Sequence, residues 1–142
     1  AIGIDKSKMM IKNAKSKILS DKESYFVADL ETWKTKEKFD IIFSMESLYY
    51  SVPMEPALEK VFKLLKKGGI FYCGTDFYSD NTLTTRWIKD MNVPMDLRSE
   101  KEWKKMFKEI GFSTRSKHVT DPKNKSKWKR EFGTLFVIGR KP

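Results

Sequence analysis

The apolar and polar positions divide the chain into short elements of two kinds. Ile2-Gly3-Ile4 is a brief apolar run ending on an acid, Asp5, and reads as a buried strand. Over 6–20, Met10, Ala14 and Ile18 recur at four-residue intervals with Ile11 beside them, which predicts an amphipathic helix with Ser7 as its cap. Tyr25-Phe26-Val27-Ala28 is a second strand, again followed by an acid, Asp29. Phe39-Asp40-Ile41-Ile42-Phe43-Ser44 is a third, and its near-continuous apolarity predicts burial on both faces, as in a parallel sheet. Leu58, Val61, Phe62 and Leu65 then form one helical stripe, with Lys66 and Lys67 at its carboxy end and Gly68 as a left-handed cap.

Residues 69–74 make a fourth strand, in which Cys73 is a small core residue. A weaker helical pattern over 81–89 runs into a loop at Pro94. Ser99 and Glu102 form a capping box ahead of a helix whose core face is Trp103, Met106, Phe107 and Ile110, and Gly111 ends it. The segments 112–119 and 134–139 read as two antiparallel strands joined by the basic stretch 120–133. This order predicts one α/β domain over 1–142: a Rossmann-like, mostly parallel sheet with helices on both faces and a carboxy-terminal antiparallel hairpin.

Composition narrows the picture. The 18 or so apolar residues of a membrane span occur nowhere in sequence, and 10 Phe, 5 Tyr and 4 Trp argue against disorder. One Cys and one His leave too few soft ligands for a zinc site, and the single Cys points to the cytoplasm. The net charge of +10 is compatible with nucleic acid, but much of the lysine excess is scattered along polar helix faces such as Lys8, Lys12 and Lys15.

In open α/β sheets, ligands bind outside the carboxyl ends of the strands, which makes Asp5, Asp29, Ser44-Met45-Glu46 and Thr75-Asp76-Phe77 the candidates. Asp5 is placed to accept from two ribose hydroxyls, or else to cap the following helix. Asp29 is placed to accept from an adenine amino group, or else is a loop acid. Nicotinamide-dependent enzymes show similar acids, so spacing alone leaves the cofactor open.

The segments Ile2 to Met10, Val27-Ala28-Asp29-Leu30, Phe39 to Ser44 and Leu64-Leu65-Lys66-Lys67-Gly68-Gly69 resemble successive landmarks of class I S-adenosylmethionine-dependent methyltransferases. The likeness is greatest to the small-molecule group that includes quinone-biosynthesis enzymes. Trp103, Phe107 and Gly111-Phe112, followed by 135–142, are similar to that group's closing helix and hairpin. The resemblance implies S-adenosylmethionine as cofactor, held by Asp5, Lys6, Asp29, Leu30, Ser44 and Met45. It also implies a small-molecule acceptor near Glu46, Tyr49, Tyr50, Asp76 and Phe77. Where that group often has a His pair, this chain has Leu48-Tyr49-Tyr50, so the resemblance assigns no general base.

The aromatics Tyr49, Tyr50, Phe77, Tyr78 and Trp87 suit either a core or a pocket that shields a sulfonium from water. His118 is expected away from the strand ends. The basic residues around Trp128 suit a solvated loop better than an RNA clamp. The family's glycine-rich turn, first strand and first helix have no counterpart. The expectation is therefore an amino-terminally truncated domain that binds cofactor weakly by itself and self-associates through open strand edges. A non-catalytic binding module and an RNA methyltransferase are the alternatives.

Overall fold

The computed structural model describes residues 1–142, which divide into two compact units, 1–36 and 37–142. In the first, β1 (Ile2–Asp5) and β2 (Ser24–Val27) pair in parallel around the crossover helix α1 (Lys8–Lys15), from Ile2 opposite Ser24 to Asp5 opposite Val27. Gly3 is required here, because a Cβ on it would lie 2.6 Å from the ring of Tyr25, its neighbour across the pair. Ser7 caps α1, its Oγ accepting from the Met10 amide at 3.3 Å.

The helix is shorter than its apolar spacing predicts. Ser16 turns its Oγ onto the Asn13 carbonyl at 2.8 Å, and the Lys17 amide bonds Ala14 instead of continuing the helical ladder. Of the expected apolar stripe, Met10 is 56% and Ile18 42% exposed; Ile11 is the one helix residue that is buried.

The second unit holds a four-stranded sheet in the order β3 (Phe39–Met45), β4 (Leu65–Thr75), β6 (Thr134–Arg140), β5 (Ser113–Val119). β3 and β4 are parallel, and β6 runs antiparallel to both β4 and β5, as the closing hairpin predicts. Helix α2 (Glu55–Leu64) buries Ala57, Leu58, Val61 and Leu64, and α4 (Glu100–Ile110) buries Trp103, Met106 and Phe107. Phe71 of β4 stacks on Phe107 at 5.6 Å, with Phe112 tilted against both. Both halves of the capping box form at Ser99 and Glu102, and Gly111 ends α4 with φ +114°. Two shorter helices, α3 (Trp87–Met91) and α5 (Lys127–Glu131), complete the unit; α5 lies in the segment expected to be a plain loop.

Two expectations are corrected. The stretch 65–68 is not the end of a helix: α2 stops at Leu64, and Gly68, with φ +80°, sits in a bulge of β4 where the pairing jumps from Phe39–Leu65 to Ile41–Ile70. Lysines satisfy the helix-end carbonyls instead, Lys141 Nζ donating to Phe62 and Leu65 and Lys38 Nζ to Lys63. β3 is not buried on both faces either. The helices cover the side shared by Ile42 and Phe71, whereas Ile41 and Phe43, on the other side of this edge strand, are 62% and 63% exposed.

The two helices should answer truncation differently. Leu58→Ala, at a fully buried position, is expected to cost about 2–5 kcal/mol. Met10→Ala should stay within about 0.5 kcal/mol. Urea denaturation of both variants measures the contrast, and equal losses would show that the α1 face is covered after all.

Candidate functional site

In the first unit the expected cofactor residues fall at the carboxyl ends of the parallel pair. Asp5 Oδ1 accepts from the Ser7 amide at 2.7 Å, and its other oxygen is open to a further donor. Asp29 Oδ1 accepts from the Glu31 amide at 3.0 Å, while its Oδ2 meets Lys6 Nζ at 2.8 Å. The Lys6 hydrogen bond holds the Asp29 carboxyl below its ordinary range, and the same bond raises the Lys6 ammonium. Lys6 is therefore spent on Asp29. Leu30 follows directly and is half-buried.

In the second unit the ends of β3 and β4 carry the other candidates. Ser44 Oγ and Ser47 Oγ are 2.7 Å apart, and Met45 shares a face with Gly74, where an added Cβ would lie 2.5 Å from the Met45 sulfur. Glu46 follows with φ +52°, a left-handed backbone that a non-glycine residue seldom adopts and that clusters at functional sites. One Glu46 oxygen accepts from the Asp76 amide, and the other accepts from Tyr49 Oη at 3.0 Å. Burial, with the Asp76 charge second, pushes the Glu46 carboxyl above its ordinary value. Burial and the Glu46 charge also push the Tyr49 phenol up, so it stays a neutral donor.

Asp76 is 3% exposed and is held at every polar atom. Its amide donates to Glu46, and its carbonyl accepts from Asn81 Nδ2 at 3.0 Å and Thr84 Oγ1 at 2.9 Å. Its carboxylate accepts from Thr134 Oγ1 at 2.6 Å and pairs with Lys129 Nζ at 2.8 Å. Around this centre the aromatics form a row: Tyr50 lies 4.6 Å from Tyr49, Tyr49 5.1 Å from Phe77, Phe77 6.2 Å from Trp87, and Trp87 5.5 Å from Trp128. Phe77 is wholly buried, whereas Tyr50 at the open end of the row is exposed.

His118 lies at this same end, contrary to expectation. β5 and β4 are both antiparallel to β6, so they share a direction, and His118 stands opposite Leu135, itself opposite Thr75. His118 Nε2 is 2.8 Å from Glu100 Oε2, and Nδ1 is 3.2 Å from Tyr78 Oη and from the Phe132 carbonyl. The His118 and Ser116 bonds hold Glu100 below the ordinary carboxyl range. Tyr78 donates to the carbonyls of Phe132 and Gly133, fixing the turn that leads into Thr134. A separate open groove of about 830 Å³ follows α4, lined by Lys101, Lys104, Lys105, Lys108 and three acids. Its charges are mixed and solvated, and no strand end opens into it.

Residues 1–134 match the family described as Methyltransferase domain. The chain belongs to this family. Its members use S-adenosylmethionine, and a solved relative of the same fold, the N-methyltransferase NodS of Bradyrhizobium japonicum, holds S-adenosyl-L-homocysteine; it is 20% identical with a TM-score of 0.76 over 99% of this chain and 66% of that one. A chain from the complex of the Haloferax volcanii Trm112 methyltransferase activator with a methyltransferase is 25% identical, with a TM-score of 0.92 over 99% of this chain and 71% of that one. The ubiquinone biosynthesis O-methyltransferase of Pelagibacter ubique is 40% identical over 76 residues, which is 52% of this chain and about a third (32%) of that enzyme's length.

For a methyltransferase domain, the donor set of the first unit suits the cofactor. A ribose presents two hydroxyl donors, and the open oxygen of Asp5 is an acceptor at a strand end. The sequence reading missed Lys129, Thr134 and His118. The signal available for them was direction alone: a closing hairpin whose first strand runs with the parallel strands returns its loop to their carboxyl ends.

The raised Glu46 carboxyl has a pH signature. A folded-state value above the ordinary 4.5 means that stability is greatest below that value and declines as pH rises through the folded value. Glu46→Gln, which can still accept from the Asp76 amide and donate to Tyr49 Oη, should remove that decline and leave the variant more stable than the parent at neutral pH. Thermal denaturation across pH 4 to 8 reads it, and parallel profiles for parent and variant would exclude the effect.

Proposed function

We propose that the protein transfers a methyl group from S-adenosylmethionine to a small-molecule acceptor. Asp5 carries this reading: an acid at the end of a parallel strand, with one carboxyl oxygen turned to its own helix cap and the other free for ribose hydroxyls. Asp29 and the Leu30 amide would take the adenine, Asp29 sharing its carboxylate with Lys6. When bound, the cofactor supplies an electrophilic methyl group.

Within the second unit, the end of β3 carries groups that suit an acceptor. Glu46, left-handed, partly buried and raised above the ordinary carboxyl range, receives the proton that a hydroxyl or amine acceptor gives up as it attacks. Tyr49 donates to one Glu46 oxygen, and the Asp76 amide holds the other at the end of β4. Tyr50, exposed at the end of the aromatic row, meets a planar acceptor, and the buried Phe77 keeps water from the floor. Methyl transfer gains most from alignment and dry surroundings, which a rigid, fully bonded strand end provides. Kinship with the ubiquinone-pathway enzyme supports a small molecule. The internal pairing of the basic stretch agrees with this: Lys129 is on Asp76, Arg130 donates to the Asn124 and Lys125 carbonyls, and Lys127 is near Glu131.

A second reading concerns a partner. The high similarity to a chain solved with the Trm112 activator supports an activator subunit for this protein as well. Co-expression with a Trm112-type protein encoded in the same genome should give one co-eluting species, and separate elution would dismiss the partnership.

Calorimetry on the whole encoded protein tests the cofactor assignment. S-adenosyl-L-homocysteine should bind, and Asp5→Ala should weaken it about tenfold or more, a loss of roughly 1.4 kcal/mol. Undiminished affinity in the variant would remove Asp5 from the site, and no binding by the parent would remove the function.

A further inference from the structure

The basic stretch between β5 and β6 does more than cross solvent. Lys129 reaches from α5 to the end of β4, where its ammonium lies 2.8 Å from Asp76 Oδ2, and Asp76 is almost wholly enclosed. On the other side of Asp76, its amide is bonded to the Glu46 carboxyl. Next along α5, Trp128 and Trp87 form a T-shaped pair at 5.5 Å, and Trp87 stacks on Phe77. The segment is anchored again just beyond the helix, where Tyr78 donates to the Phe132 and Gly133 carbonyls and Thr134 to Asp76.

A buried carboxylate without a countercharge is costly, so the position of Lys129 follows from that of Asp76. The converse also holds. With Lys129 removed, Asp76 and Glu46 are left as neighbouring acids with no cation between them and the solvent.

We propose that Lys129 is a positioning residue for the acceptor end: its ion pair with Asp76 fixes the Glu46–Asp76 arrangement and seats Trp128 as the far wall of the aromatic row. The proposal rests on the reading of Glu46 as the proton acceptor. The groups that face Glu46 are Tyr49 from the turn after β3, the buried Cys73 thiol and Asp76 from β4, and Lys129 from α5. The Asp76 charge raises the Glu46 carboxyl and the Lys129 charge lowers it, the first effect being the larger.

The test follows the Glu46 side-chain carboxyl carbon through a pH titration by NMR in the whole encoded protein, with melting temperature recorded alongside. Lys129→Met should move the Glu46 midpoint upward by about half a pH unit or more, since an uncompensated like charge disfavours ionisation. Lys129→Arg, which keeps the charge, should hold it near the parent. The double variant Asp76→Asn with Lys129→Met removes both charges and should bring the midpoint below the parent. Should Lys129→Met fail to fold, the double variant and Lys129→Arg carry the test. A midpoint unmoved in the double variant, or moved as far by Lys129→Arg as by Lys129→Met, would overturn the proposal even if the melting temperature falls. The measurement needs no turnover, so it stands apart from the methyl-transfer test: a failed cofactor titration leaves it intact, and its own failure leaves the cofactor result intact.

Discussion

Asp76 is the constraint around which the larger unit is arranged. A buried residue with five polar contacts can exist only if all of its partners are delivered together, because an unpaired buried carboxylate or carbonyl costs more than most single contacts return. Those five partners come from four places in the chain: Glu46 after β3, Asn81 and Thr84 in the loop after β4, Lys129 on α5 and Thr134 at the start of β6. One residue at a strand end thereby ties Glu46 to the loop after β4, to α5 and to the start of β6. The neighbouring loop is tied the same way. Arg98 binds both oxygens of Asp96 at 2.9 Å and reaches Glu55 at 2.8 Å, while the Asp96 amide donates to the Tyr49 carbonyl.

This rigidity bears on which groups can act. Asp76 and Phe77 look like substrate contacts in the sequence because they end a strand, yet both are buried and fully engaged by the protein. A carboxylate locked between Thr134 and Lys129 is better suited to fixing its neighbours than to meeting a ligand. Glu46 has the opposite character: its backbone is left-handed, and it keeps one oxygen on a phenol that can rotate its proton elsewhere. Fixed and adaptable carboxyls side by side are an arrangement in which one tunes the other.

Much of the fold was legible because its signals are local. The Ser99–Glu102 box, the Ser7 cap, the apolar stripes of α2 and α4 and the order of strands each depend on residues within a few positions. The failures were of two kinds. Some were local competitions that a periodicity cannot weigh, such as Ser16 drawing its own backbone out of the helix, or Lys141 taking the carbonyls that Gly68 was expected to serve. Others were non-local: the apolarity of Ile41 and Phe43 matches a doubly covered strand, but whether a face is covered depends on what packs there. The strand-end acids Asp5, Asp29 and Glu46 could be named from the sequence, since a strand has to end somewhere. Their partners could not, because Lys129 is 53 residues from Asp76.

That separation also changes what the positive charge of the chain means. In a list of residues, Lys123, Lys125, Lys127, Lys129 and Arg130 around Trp128 read as one basic patch. In space the members differ. Lys129 neutralises a buried acid, Arg130 closes its own loop through two carbonyls, and Lys127 stands by Glu131 along α5. A cation already compensating a buried carboxylate has little left to offer a phosphate, because leaving would strand its partner in a low-dielectric site. Trp128, in turn, meets Trp87 in a T-shaped contact at 5.5 Å. The basic stretch is therefore three different things in space: a counter-ion for Asp76, a loop closure at Arg130 and a helix-surface pair at Lys127.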